Sequence, residues 1–172
     1  QPPKIARLAV LLDLEQSADK TMGSEQANKL LKEGWAVAVP ELRAVGRFAL
    51  PSDKIGHAPD HNTAEWSLWI GRPLLGQWAW DVRRALDVLS TRFAKLPSEV
   101  MLVGNGTAGP VALCSAALDE RITHAVTINS LASYVTDEPY RNQRLGLMVP
   151  GILRDVGDIP HIAGLIAPRQ VT

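Results

Sequence analysis

Short apolar runs alternate with amphipathic segments along most of this chain. Runs of roughly four to eight apolar and β-branched residues are typical of buried strands, whereas apolar residues spaced three and four positions apart are typical of helices. The runs predict strands at 6–12, 35–39, 100–103 and 122–128, and the spaced patterns predict helices at 24–33, 77–93, 108–118 and 159–166. In the helix at 77–93, the apolar side that should face the core contains Trp80, Ala85, Leu86, Val88 and Leu89. Buried strands that alternate with helices indicate the α/β class, here a three-layer α/β/α sandwich on a mostly parallel sheet.

Residues that begin and end helices agree with this pattern. Gly34 follows the helix at 24–33 as a C-terminal cap residue does, and Asp158 suits the N-cap of the helix at 159–166. The first forty residues therefore form strand, helix and strand, which predicts two parallel strands joined by a right-handed crossover. A polar loop is expected at 13–21, long irregular connections at 41–76 and 129–157, and the start of a further strand at 170–172.

Length and composition restrict the possible functions. With 172 residues, the chain is long enough for one domain, 1–172, with a sizeable core. Its 18 Lys and Arg balance its 18 Asp and Glu, so nothing points to nucleic acid or to an anionic membrane surface. No apolar run is long enough for a membrane span, and no signal-peptide pattern opens the chain. Because the chain starts at Gln1 rather than Met, we expect a processed or excised segment that could have lost a leader.

The stretch Val100–Gly109 carries the most specific motif. An apolar run ends on Gly104, a helical pattern begins after Thr107, and the turn between them consists of small residues. This layout is typical of a nucleophile elbow, in which a residue in a strained turn is held at the C-terminal edge of a parallel sheet. Small neighbours are needed because the strand and helix backbones approach closely there.

Two registers of this elbow are possible. The favoured register puts Gly106 at the apex, and Gly106 has no side chain with which to attack a substrate. The flanking small residues are then Gly104, Ala108 and Gly109. The shifted register puts Thr107 at the apex, but Asn105 and Pro110 then occupy positions that need very small residues.

Other interpretations of the same glycines remain open. The sequence Gly104–Gly109 satisfies the dinucleotide motif G-x-G-x-x-G, but that motif normally follows the first strand of its domain and precedes an acidic residue by about 20 positions. The nearest acids, Asp119 and Glu120, come too early, at the end of a helix. No Lys-Ser/Thr pair follows, which excludes a phosphate loop. If these glycines only permit close packing, the expected geometry is the same as that of an elbow that has lost its nucleophile.

Several other side chains are candidates for chemistry. His57 and His61 have the spacing of two metal ligands, but no helical periodicity brings their rings together, so we expect a solvated or loop-pinning role and assign no metal. Ser130 is a conceivable nucleophile without an elbow or a base. The single cysteine, Cys114, lies on an apolar helix face, so it forms no disulfide framework and is expected to be a buried, inert thiol. His124 is expected to be a hydrogen-bonded structural residue, and no cofactor is indicated.

Arginines and tryptophans provide the candidates for ligand binding. Arg43 and Arg72 are expected to form ion pairs with Glu41, Asp81 or Glu65, although an arginine at a strand end can instead hold a ligand carboxylate. Tryptophan presents a wide apolar face on which a sugar can stack, and four of the five tryptophans fall close together: Trp66, Trp69, Trp78 and Trp80. At least two of these should belong to the core. The ligand-binding candidates are Arg43, Trp66, Trp69 and Arg72.

Four segments, spread in order over most of the chain, match the motifs of a known protein family. They are Trp35–Gly46, Gly71–Gly76, Trp80–Asp87 and Ile166–Arg169. Together they resemble the acetyl-xylan-esterase-like α/β-hydrolases, particularly large bacterial relatives in which a second hydrolase-like unit is degenerate. The first resembles the family's strand followed by Asp-x-Arg-Gly-x-Gly, with Glu41 for the Asp and Ala44 for the Gly. The next two resemble its glycine turn and the helix before the nucleophile strand, and the last resembles the Ala-Pro-Arg before the strand that carries the catalytic acid.

The resemblance implies a partial α/β-hydrolase core, from about the third strand to the start of the seventh, truncated at its C-terminus. The nucleophile position is Gly106, the segment after the first strand that should stabilise an oxyanion is Asp13–Gln16, and no acid or histidine of a triad can be assigned. We therefore predict a non-catalytic domain that packs against a neighbouring hydrolase domain of its parent protein or binds a glycan. The alternative is a segment of an active carbohydrate esterase whose acid and histidine lie outside this chain. A secreted or periplasmic location is suggested by the resemblance alone.

Overall fold

Five parallel strands form the central sheet of this computed structural model, which describes residues 5–137, 140 and 143–172. The strands are β1 (Arg7–Asp13), β2 (Ala36–Ala38), β3 (Glu99–Asn105), β4 (His124–Ile128) and β5 (Gln170–Val171), in the order β2-β1-β3-β4-β5. β1 and β3 pair along their whole length, from Arg7 opposite Glu99 to Asp13 opposite Asn105. β3 is the middle strand of this order, and it precedes the predicted elbow. The polar segment at 1–4, which leads into the first strand, lies outside the described residues.

Seven α-helices connect and flank these strands in the part of the chain that the structure describes. They are α1 (Ala18–Met22), α2 (Glu25–Lys32), α3 (His61–Trp69), α4 (Leu74–Arg92), α5 (Gly109–Leu118), α6 (Ile152–Asp155) and α7 (Ile159–Gly164). Short 3-10 turns occur at Gly46–Phe48, Gly106–Ala108 and Leu145–Leu147. The predicted caps are confirmed, because Asp158 caps α7 and Gly34 has a φ of 83°. The Ser24 hydroxyl, which was not predicted as a cap, accepts a hydrogen bond from the Ala27 amide at the start of α2.

Helices cover both faces of the sheet. Leu8 and Val10 of β1 belong to a large buried cluster that includes Val82 of α4 and Val111 of α5. Leu11, whose side chain points to the opposite face, instead belongs to a smaller cluster with Ala27 of α2 and Val103 of β3. Because successive side chains of a strand point to opposite faces, the two clusters lie on opposite sides of the sheet. The predicted three-layer α/β/α fold on a parallel sheet is confirmed.

The buried face of α4 differs from the prediction. Trp78, Val82 and Leu86 are fully buried, whereas Trp80 is 51% exposed and Val88 is 65% exposed. Residues four positions apart form one face of a helix, so the buried stripe runs through 78, 82 and 86 while 80 and 88 lie on the outer face. Placing Trp80 and Val88 on the core side was wrong, and so was the expectation that at least two of the four clustered tryptophans are core, since only Trp78 is buried.

All three segments predicted to be irregular contain helices, and α6 lies in the connection at 129–157. The loop at 13–21 contains most of α1, and the long connection at 41–76 contains α3, whose buried residues are Ala64 and Ser67 while its tryptophans face outward. The buried face of α3 does not carry apolar residues at helical spacing, so the sequence showed no helical pattern there. The predicted strand at 35–39 is also shorter than expected: β2 spans three residues, all partly exposed, because it lies at the sheet edge.

Buried carboxylates hold the long connection at 41–76 in place. Asp53 accepts hydrogen bonds from the Thr63 amide and hydroxyl, each 2.7 Å long. Asp60, which is fully buried, accepts from the amides of Leu145 and Gly146 at 2.9 Å. Buried carboxylates with several such bonds replace the water they lose. Asp53 thereby ties the preceding loop to α3, and Asp60 ties the start of α3 to the second long connection.

Candidate functional site

The elbow turn has the predicted position and backbone geometry. The central strand β3 ends at Asn105, a 3-10 turn covers Gly106–Ala108, and α5 follows directly. Gly106 has a φ of 54°, a left-handed value that side-chain-bearing residues rarely adopt. An ideal Cβ built on Gly106 meets no atom within 4 Å. A side chain at this position would therefore project into open space at the carboxyl edge of the sheet.

The glycines on either side of the apex permit two different close approaches. An ideal Cβ on Gly104 would lie 2.6 Å from the Ala108 carbonyl oxygen and 2.8 Å from the Gly109 Cα, so the strand and the turn are in backbone contact there. A Cβ on Gly109 would instead overlap the side chain of Ser130, which follows β4. The Ser130 hydroxyl is buried and has no hydrogen-bond partner among the described residues. Ser130 thus packs against the helix start rather than facing an open site.

A carboxylate from the segment after β1 lies next to the elbow. The buried Thr107 hydroxyl donates to the Glu15 carboxylate at 2.8 Å. The Arg144 guanidinium, whose side chain is 8% exposed, donates to the same Glu15 oxygen at 3.0 Å and also to the Leu14 carbonyl. Arg144 lies 129 positions after Glu15, and no local pattern in the sequence indicated this contact.

The backbone donors of this segment are also in use. Asp13, at the end of β1, accepts hydrogen bonds from the amides of Glu15 at 2.7 Å and Gln16 at 3.1 Å. On the neighbouring strand end, the Asn105 amide group donates to the Gln26 side chain at 2.9 Å. Hydrolases of this topology take one oxyanion donor from the residue after the nucleophile and another from a loop at this sheet edge. Here the corresponding loop presents carboxylates, and its amides point to one of them.

A separate surface groove of about 570 Å³ lies along the first turns of α4. We call it the α4 groove; it is lined by Arg43, Arg72, Pro73, Gly76, Gln77 and Trp80. The structure thus brings the candidates Arg43 and Arg72 together at one groove. Trp66 and Trp69, 48% and 73% exposed on α3, are not among its lining residues.

The ion pairs expected for the arginines are present only in part. Arg43 forms the predicted pair with Asp81, through its Nε at 2.7 Å and its second amino group. Glu41 pairs with Arg47 instead, whose backbone amide and side chain hold the pKa of Glu41 below its usual value. The Arg72 guanidinium forms no ion pair or hydrogen bond with another described residue.

Neither the histidines nor the cysteine forms a hydrogen bond with the elbow turn in the part of the chain that the structure describes. His57 and His61 belong to no convergent group of three metal-ligating side chains in the described part of the chain. The His124 ring nitrogen hydrogen-bonds the Thr123 hydroxyl at 3.0 Å, as expected for a structural residue. Burial raises the pKa of the Cys114 thiol to about 11, which keeps it protonated and unreactive at neutral pH.

Comparison with solved structures identifies the fold. A parallel sheet with helices on both faces and an elbow turn after its central strand is consistent with a partial α/β-hydrolase core. A protein of Bacteroides fragilis assigned as an acetyl xylan esterase has a TM-score of 0.79 and 15% identity, and the match covers 99% of this chain and 51% of that one. A glucuronoyl esterase of Solibacter usitatus has a TM-score of 0.56 and 18% identity, over 98% of this chain and 55% of that one.

A carbohydrate esterase family 15 glucuronoyl esterase of Caldicellulosiruptor kristjansonii matches at a TM-score of 0.57 and 15% identity, over 99% of this chain and 52% of that one. This chain therefore spans about half the length of these structures. No protein-family model and no curated protein matches the sequence. Among the described residues, no helix combines the length and the apolar character that crossing a membrane requires. The likeness shows an esterase-like α/β-hydrolase fold.

Proposed function

We propose that this chain is a non-catalytic α/β-hydrolase-like domain that keeps the elbow geometry and serves a binding or docking role. The observation that carries the proposal is the apex itself: Gly106 has the left-handed φ of 54° and open space above it, but no nucleophilic atom. Covalent ester hydrolysis needs a nucleophile, a base within hydrogen-bond reach and a group that orients the base. The apex supplies none of the three.

The charge beside the apex supports the same proposal. A tetrahedral intermediate carries a negative oxygen that preorganised donors must stabilise. At this position the Glu15 carboxylate already accepts from Thr107 and Arg144, and Asp13 accepts from the amides that follow it. A second negative oxygen placed beside the Glu15 carboxylate would be repelled.

Of the four histidines of the chain, His124 and His161 offer no base for the apex. His124 begins β4, opposite Met101, whereas the elbow follows Asn105 four residues further along the paired strand. At about 3.3 Å per residue, His124 is separated from the elbow by about 13 Å along the sheet. His161 is engaged in the capping box of α7, where its ring accepts from the Asp158 amide.

A chromogenic ester assay tests the proposal. Hydrolysis of p-nitrophenyl acetate should stay at the spontaneous rate for the wild type, for Gly106→Ser and for the matched control Gly106→Ala, which carries the same backbone strain without a hydroxyl. A serine hydroxyl without general-base assistance lacks a factor of roughly 10²–10⁴ in rate. Saturable, histidine-dependent hydrolysis by the wild type would overturn the proposal. Activity confined to Gly106→Ser would show that a working base is present and would contradict the reasoning about the histidines.

A second candidate is a segment of an active carbohydrate esterase. The observation that favours it is the span of the match, which covers about half of each esterase structure and leaves room for catalytic residues elsewhere. This candidate predicts ester hydrolysis by a longer polypeptide that contains this chain, with residues outside it supplying the acid and the histidine. The same chromogenic assay on that polypeptide distinguishes the two candidates.

A further inference from the structure

We infer that the α4 groove binds sugars that carry a carboxylate, with Arg72 holding the acid group and Trp80 the ring. This inference deepens the binding role in the proposed function, and it concerns a surface that shares no residue with the elbow. The groove volume of about 570 Å³ lies within the roughly 300–1,000 Å³ typical of small-molecule sites. That volume accommodates a short oligosaccharide rather than an extended polymer surface.

Arg72 provides the unpaired charge of the groove. Arg43, the other arginine in the wall, is neutralised by Asp81 and donates in addition to the Gln77 side chain at 2.6 Å. The Arg72 guanidinium is exposed and makes no such contact with another described residue. A free guanidinium presents a planar pair of donors that matches a carboxylate. The groove therefore offers one uncompensated positive charge, suited to one acid group.

Trp80 provides a flat apolar surface beside this charge. It lies on the outer face of α4 and is 51% exposed. The Arg84 guanidinium stacks 4.4 Å from the centre of the indole ring, and this cation–π contact restrains the ring. An indole held in this way presents an apolar body and one polar donor to a ligand. A sugar ring, with its apolar C–H face and polar edge, matches such a surface.

Gly76 leaves the groove open, although glycine is an unfavourable residue at its position in the helix. It lies in the first turn of α4, and glycine is among the least favourable residues in a helix. Its backbone does not need glycine, because its φ is not left-handed and an ideal Cβ would meet no atom within 4 Å. A side chain at position 76 would enter the groove that this residue lines. The fold therefore does not explain this glycine, whereas an occupant of the groove does.

The opposite wall is rigid and contains no aliphatic anchor. Gln77 accepts from Arg43 and donates to the Ser67 hydroxyl at 2.9 Å and the Arg72 carbonyl at 2.7 Å, so its amide orientation is determined by three partners. The lining residues include no Leu, Ile, Val or Met, and the groove lies on a helix, where no strand edge can pair with an extended main chain. These features favour an acidic sugar over an acidic peptide.

Titration of the intact chain with trigalacturonate, followed by tryptophan fluorescence and calorimetry, tests the inference. We expect saturable binding, weaker binding of neutral xylotriose, and an affinity for trigalacturonate that falls about tenfold or more in Arg72→Gln, because a hydrogen bond to a charged group is lost. Trp80→Ala should weaken the binding of both sugars. Gly76→Leu should abolish binding while the thermal midpoint stays the same or rises, which separates a blocked groove from an unfolded protein.

Two exposed residues outside the groove serve as matched controls. Val88→Ala and Arg92→Gln should bind trigalacturonate as the wild type does. Equal affinity for the acidic and neutral sugars, no binding of either, or an equal loss in the two controls would overturn the inference, and so would tighter binding of a tetraglutamate peptide than of trigalacturonate. Ester hydrolysis by the wild type would refute the non-catalytic proposal but leave a positive binding result intact, so the two failures are distinguishable.

Discussion

Replacement of Gly104 should destabilise the fold through a backbone clash. The ideal Cβ at this position lies 2.6 Å from the Ala108 carbonyl oxygen and 2.8 Å from the Gly109 Cα. Both neighbours are main-chain atoms, so no side-chain rotation relieves the contact. Restoring ordinary van der Waals distance requires the turn to move by about 0.8 Å from the central strand, against the close packing of the core.

The expected magnitude follows from the cost of overpacking, roughly 1–3 kcal/mol for added atoms in a packed core. We expect Gly104→Ala to lower the free energy of unfolding by about 2 kcal/mol, and Gly104→Val by about 3 kcal/mol or more, because its two methyl groups extend the clash. Gly109→Val should cost less than Gly104→Val, because its Cβ meets the side chain of Ser130, which has some freedom to move.

A second glycine substitution separates steric clash from backbone strain. Gly106→Ala adds a Cβ where no atom lies within 4 Å, so only its left-handed φ of 54° is unfavourable. That conformation costs an L-residue about 1–2 kcal/mol. Equilibrium unfolding in urea, followed by circular dichroism, measures all of these variants. A wild-type midpoint for Gly104→Val, or a larger loss for Gly106→Ala than for Gly104→Val, would contradict the argument.

The remaining predictions concern ionised groups. Arg144→Met should lower the free energy of unfolding by about 1–3 kcal/mol, because it removes the side-chain donor to the Leu14 carbonyl and one of the two donors to the Glu15 carboxylate. Glu15→Gln should cost less, since the Glu15 side chain is 53% exposed. Equal urea midpoints for the two variants would contradict this order. Burial acts to raise the pKa of Asp119, but hydrogen bonds from Arg121 outweigh it and leave that pKa below its usual value. The resulting stability is present above the unfolded-state pKa and is lost as the pH falls through the folded-state value, so the thermal midpoint should fall more steeply between about pH 5 and about pH 2 in the wild type than in Asp119→Asn. Parallel curves would refute the assignment.

Features that depend on local chain chemistry were predictable from the sequence. Strands at 100–103 and 122–128 follow from apolar runs, and Ser24 and Asp158 cap helices because their side-chain oxygens reach amides within the next turn. The turn at Gly106 was predictable for the same reason, since a left-handed φ and a close approach of strand and helix both require glycine at particular positions. Each of these signals lies within a few residues of the structure it predicts.

The tertiary structure alone decided which surfaces the chain presents. The outward direction of Trp80 depends on which stripe of α4 the sheet covers, and a helix with apolar residues on more than one side does not reveal that choice. The contacts of Glu15 with Arg144, and the grouping of Arg43 with Arg72, join segments that are far apart in the chain. Such contacts leave no local period, because they arise only when packing of the strands and helices brings distant loops to the same edge. The sequence therefore predicted the α/β layers and the elbow, while the charge beside the apex and the α4 groove were decided by long-range packing.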